Sequence, residues 1–189
     1  LLLLASPALA NRVYVSNERG NDVTVLDSDT LEVIGTYPVG ARPRGITISP
    51  DGKELYVCAS DDDLVRVFDP ATMKELHTLP SGPDPELFVL HPSGNPLYIA
   101  NEDDNLVTVV DTKTHKMLAE IPVGVEPEGM AVSHDGRWAV TTSETTNMVH
   151  WIDTATHEIV ANTLVGQRPR YARFSADDRL LWATSEIGG

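Results

Sequence analysis

The residues able to do chemistry in this sequence are charged ones, placed beside a proline that recurs four times. Arg42 and Arg44 flank Pro43, Asp84 and Glu86 flank Pro85, Glu126 and Glu128 flank Pro127, and Arg168 and Arg170 flank Pro169. A second set of acids follows each tyrosine-bearing or equivalent apolar run: Glu18, Asp61-Asp62-Asp63, Glu102-Asp103-Asp104, Glu144 and Glu186. Carboxylates that converge can hold a hard cation such as Ca²⁺, which takes six to eight oxygens, and Glu86, Glu102, Glu128 and Glu144 are the set that could do so. Carboxylates interleaved with arginines instead focus a field on a small polar solute or a charged partner surface. An equally physical reading is that Arg44 and Glu86 pair across neighbouring units as solvated rim charges, worth roughly 0–1 kcal/mol.

Other chemistries find less support. Cys58 is the single cysteine, which rules out an internal disulfide, a cysteine-based zinc cluster and an iron–sulfur centre. A G-x-S-x-G nucleophile signature does not occur, so no catalytic residue is assigned. The chain of 189 residues carries 28 Asp and Glu against 14 Lys and Arg, a net charge of -14, which argues against nucleic acid or an anionic membrane as partner.

The scaffold that must position these groups is read from a period of 42. Asp27, Asp69, Asp111 and Asp153 recur at that step, as do Gly40, Gly82, Gly124 and Gly166, and the four prolines. Each period holds four short β-rich runs, for instance Leu87–Leu90, Leu97–Ala100, Leu106–Val110 and Met117–Ile121. Four strands per ~40–45 residues is the spacing of a propeller blade. Asp51-Gly52, Ser93-Gly94 and Asp135-Gly136 suit the positive φ of a tight A–B hairpin. The Asp-x-x-Thr between the third and fourth strands suits a turn in which the carboxylate binds backbone N–H groups. Runs such as Leu55-Tyr56-Val57-Cys58-Ala59 are apolar on both faces, as a blade packed between two others requires. Cys58 and the tryptophans Trp138, Trp151 and Trp182 read as core, and the six histidines map to outer strands, C–D turns and A–B hairpins.

The predicted class is therefore all-β: a propeller of four-stranded antiparallel blades, here an incomplete part of a seven-bladed ring. Residues 1–10, LLLLASPALA, read as the end of a signal peptide cleaved after Ala10, which places the chain in the periplasm or outside the cell. Residues 11–189 then give a first blade lacking strand A, three full blades and the start of a fifth. In this register the D–A and B–C loops, with all the charges named above, open on one face around the mouth of the central channel.

The segments Val13-Tyr14-Val15-Ser16-Asn17 and Leu97-Tyr98-Ile99-Ala100-Asn101, each followed by a Val-x-Val strand and Asp-x-x-Thr turn, resemble the YVTN family of β-propeller repeats. The stretches 58–63, 81–88, 99–112, 123–133 and 142–154 are similar to the periplasmic propellers associated with PQQ-dependent alcohol catabolism. That resemblance implies a non-enzymatic accessory protein that recognises a small polar ligand or a periplasmic partner, with no cofactor of its own. Related seven-bladed propellers include lactonases, which keeps hydrolysis as the alternative.

Overall fold

In the computed structural model, which describes residues 11–187, the chain is all-β and forms five antiparallel sheets in sequence order. The first holds β1 (Arg12–Asn17), β2 (Asp22–Asp27) and β3 (Val33–Pro38). The second holds β4 (Pro43–Ile48), β5 (Leu55–Ala59), β6 (Leu64–Phe68) and β7 (Glu75–Pro80). The third runs β8 (Pro85–Leu90), β9 (Leu97–Asn101), β10 (Leu106–Asp111) and β11 (Lys116–Pro122). The fourth runs β12 (Pro127–Val132), β13 (Trp138–Ser143), β14 (Met148–Asp153) and β15 (Glu158–Leu164), and the fifth pairs β16 (Gln167–Phe174) with β17 (Leu181–Ile187). Among the described residues no helix is long and apolar enough to cross a membrane. The signal-peptide reading of residues 1–10 lies outside the described residues.

Four apolar cores lie between consecutive sheets, and alternation along a single strand feeds two of them. On β5, Leu55 and Val57 join Val23, Val25 and Val39 in the first core, whereas Tyr56 and Cys58 join Phe88, Leu97 and Ile99 in the next. That double duty is why β5 and β9 are buried along their whole length. Cys58 is wholly buried there, and burial pushes its thiol well above its ordinary range. Trp182 departs from the core expectation: it is 56% exposed on β17, the outer strand of a two-stranded sheet.

The turn chemistry is local and repeated. Oδ1 of Asp27, Asp69 and Asp111 each accepts two backbone N–H bonds from the residues two and three positions on, at 2.7–3.0 Å. Asp153 accepts one, from Ala155. These aspartates are scaffold. Gly52, Gly94 and Gly136 carry φ of 71°, 84° and 76° at the A–B hairpins, where a side chain would be strained.

Candidate functional site: a charged channel mouth

Two repeated backbone devices bring the charges together. First, Arg42, Asp84, Glu126 and Arg168 all adopt left-handed backbone, with φ between 49° and 58°. Non-glycine residues enter that region at a cost of order 1 kcal/mol, so something must hold them. In each case the N–H donates to the side-chain Oδ1 of a residue 21 positions earlier: Asn21, Asp63, Asn105 and Asn147, at 2.9–3.1 Å. Second, the ladder between the first two strands of each blade is interrupted just past the repeated proline, between Pro43/Ile46, Pro85/Phe88, Pro127/Met130 and Pro169/Tyr171. A bulge re-aims the side chain it carries, and the residues in these irregularities include Arg44, Glu86, Glu128 and Arg170. We expect Asn105→Ala, which strips the acceptor from the Glu126 N–H, to lower stability by about 1–2 kcal/mol in urea denaturation.

The charges so placed form one chain of ion pairs across the blades. Arg42 donates from Nη1 to Asp84 at 2.7 Å and from Nη2 to Glu86 Oε1 at 2.6 Å. Arg44 Nη2 lies 2.5 Å from Glu86 Oε2 and 3.5 Å from Glu128 Oε2, with Glu18 at 3.4 Å from its Nη1. Arg170 Nη2 lies 2.7 Å from Glu128 Oε1, and its Nε donates to Glu144 at 2.7 Å. Arg168 pairs with the other oxygen of Glu144 and has Glu186 at 3.5 Å. Glu126 accepts a bond from the Thr145 hydroxyl.

Arg44 and Glu86 do pair across neighbouring blades, but burial corrects the expectation that they are solvated rim charges. Glu86 is 0% exposed, Glu128 3% and Glu144 4%, because each sits beneath arginines contributed by adjacent blades. Burial pushes the Glu86 carboxyl up to about 8 against the pull of Arg44, and Glu128 up to about 7 against Arg170 and Arg44. Glu144 feels desolvation too, but hydrogen bonds from Arg170 and Arg168 hold it below its ordinary value. Glu86 Oε2 and Glu128 Oε1 face their arginines at ion-pair distance without an aligned hydrogen bond. Both oxygens are shielded from solvent and are met by the guanidinium charge alone.

The carboxylates that converge differ from the four anticipated. Among the described residues the cluster within 4.8 Å is Asp84, Glu86 and Glu102, not Glu86 with Glu102, Glu128 and Glu144. Arg170 ties Glu128 to Glu144, and Arg42 already bonds two members of the observed trio. A hard cation could enter there only in competition with that guanidinium. Of the histidines, His150 comes nearest the mouth-side loops: on β14, its Nε2 accepts the Gly124 N–H at 3.0 Å while Nδ1 bonds Asn162. It anchors the Gly124 loop from beneath, while Asn21, Asn105 and Asn147, which sequence reasoning passed over, and Asp63, which it read only as a loop acid, recur with the same 42-residue step.

Comparison with known proteins places the scaffold. A family model described as "YNCE-like beta-propeller" matches residues 54–173, and one described as "Lactonase, 7-bladed beta-propeller" matches residues 9–79. The chain is 35% identical over 57 residues to the uncharacterized protein YncE of Salmonella typhi, and 44% identical over 57 residues to antigen Lp49 of Leptospira interrogans. Each stretch is 30% of this chain and only 16% and 12% of those relatives' lengths. Among solved structures, hydrazine synthase of Kuenenia stuttgartiensis superposes with a TM-score of 0.82 at 27% identity, covering 90% of this chain and 51% of that one.

Proposed function

The chain belongs to the YNCE-like β-propeller family, and from that premise we propose that it is a binding protein whose charged channel mouth recognises a small polar ligand or a partner protein. The observation that carries this reading is the pair of buried carboxylates, Glu86 and Glu128, each keeping one oxygen without an aligned hydrogen bond. Burying a carboxylate is costly unless it is fully paired. A solute donating N–H or O–H groups to the part-exposed acids beside them, Asp84, Glu102 and Glu126, would offset the negative charge that these buried carboxylates add. The named acids at the mouth outnumber its four arginines, so the field there favours a cationic or donor-rich occupant.

The setting we propose is the periplasm or the cell exterior, from the LLLLASPALA start, and a role beside PQQ-dependent alcohol oxidation, from the non-repeating loop stretches already named. Capture from a periplasmic extract on the immobilised protein tests it. The wild type should retain a specific partner or small molecule, and Glu86→Gln with Glu128→Gln, which remove the charge and keep the side-chain volume, should release it while the variant still unfolds in one cooperative transition. Retention unchanged by these substitutions would remove the mouth as the binding surface.

A lactonase-type match over residues 9–79 favours a second reading, hydrolysis. Glu86 and Glu128, with protons bound near neutrality, have the character of general acids or bases. This reading expects turnover on a lactone panel that Glu128→Gln abolishes, whereas a binding protein shows none.

A further inference from the structure

The structure assigns a second site, on the face opposite the mouth: a cleft between the second and third blades that binds an organic cation, a guanidinium or primary ammonium group. Between the first and second blades, Arg12 Nη1 donates to the carbonyls of Pro70 and Ala71 at 2.9 and 2.8 Å, and the Tyr14 hydroxyl donates to Pro70 at 2.8 Å. The carbonyls of that C–D turn thus receive a guanidinium from within the chain.

One repeat on, 42 residues later, the arginine becomes Glu54, the tyrosine is Tyr56, and the two turn residues are Thr112 and Lys113. Glutamate cannot donate to a carbonyl. The Tyr56 hydroxyl turns to Glu54 Oε2 at 2.5 Å, and no described side chain donates to the carbonyls of Thr112 and Lys113. The cleft between them, about 410 Å³, also has Asp51 and His115 in its wall, a volume that suits a small ligand. It therefore presents two carbonyl oxygens and a carboxylate where the preceding repeat supplies its own cation.

The neighbouring charges leave Glu54 to an external partner. Asp51 is engaged by the Ser49 hydroxyl at 2.7 Å and by Lys53 at 3.2 Å. Lys113 lines the cleft but forms no ion pair with Glu54 among the described residues. The His115 ring stacks on His77 with centroids 4.1 Å apart and planes 12° from parallel. Burial, then the proximity of His115, draws the His77 imidazole below its ordinary value, so it stays neutral at pH 7.5 and does not repel a cation. Tyr56, itself 1% exposed, fixes the carboxylate. Charge-assisted bonds from a planar donor to a carboxylate and two carbonyls are the geometry that guanidinium suits best.

The test is a titration of the ¹⁵N-labelled chain at pH 7.5 with methylguanidinium chloride, then propylammonium chloride, against sodium chloride at matched ionic strength. We expect saturable shifts at the Thr112, Lys113 and His115 amides that sodium does not reproduce. Glu54→Gln should weaken the affinity at least tenfold. Glu54→Arg, which recreates the arrangement around Arg12, should abolish binding and retain the dispersed spectrum. Shifts that sodium reproduces, or an affinity that Glu54→Gln leaves unchanged, overturn the site; the glutamine variant decides the matter even if the arginine variant does not fold.

Discussion

Replacing Arg44 with leucine is expected to destabilise the protein by about 3–5 kcal/mol at pH 8.5, the cost of stranding a buried charge, and by much less at pH 5.5. Among the described residues Arg44 is the one cation that reaches both Glu86 and Glu128, lying against Glu86 and within 3.5 Å of Glu128. At pH 8.5 both carboxylates are ionised, and losing the guanidinium leaves Glu86 with Arg42 alone and Glu128 with Arg170 alone. At pH 5.5 each can take up a proton, which removes the charge that Arg44 was compensating. Urea denaturation at the two pH values checks the difference; an equal cost at both would mean that these acids are not buried as described.

The same groups set the sign of the wild-type pH profile. Glu86 and Glu128 bind protons more tightly folded, at about 8 and about 7, than at the unfolded value of 4.5. The folded state therefore carries more bound protons between pH 4.5 and 8, so stability falls as pH rises through that window and levels off above it. Glu144 and Glu18, held below their ordinary values, act oppositely: their contribution is present above pH 4.5 and is lost on acidification below it. Maximum stability should lie at mildly acid pH. Glu86→Gln, which imitates the protonated side chain, should flatten the decline between pH 6 and 8.

The fold was legible because the blade writes itself into the sequence at every level. Hairpin glycines, turn aspartates and doubly apolar strands all share one period, and each is a local requirement met by local residues. The set of charges was legible in the sequence, but not their environment. Arg44 and Glu86 read as rim charges because a loop residue's burial depends on the neighbouring blade, which sits 42 positions away and supplies the cover. The bulges that turn Arg44, Glu86, Glu128 and Arg170 inward follow from ladder irregularities that no residue type announces. The asparagine supports at 21, 105 and 147, with Asp63 between them, did carry a signal: they recur half a period before the left-handed residues they hold. Trp182 was misread because aromatic type alone does not say whether a described sheet covers the strand's outer face.

Packing of the inner strands supplies the other large effect. Gly129 lies on β12, where an added Cβ would stand 2.7 Å from the Arg170 carbonyl oxygen and 2.9 Å from the Tyr171 Cα. Both are backbone atoms of the next blade, so no rotamer change relieves the contact; the blades must separate. Overpacking of this kind costs about 1–3 kcal/mol, and more for a branched side chain, so Gly129→Ala should lower stability by that amount and Gly129→Val should approach loss of folding. The displacement would act directly on Arg170, which holds Glu128 and Glu144 together. We therefore expect the alanine variant to raise the Glu128 carboxyl further, read by NMR titration of its side chain. Gly52→Ala is the control, since its Cβ meets nothing within 4 Å and only the φ of 71° is strained. That variant should lose about 1 kcal/mol of stability with Glu128 titrating as in the wild type. If both substitutions cost the same and neither moves Glu128, the inner strands are not the element that sets the spacing of the mouth.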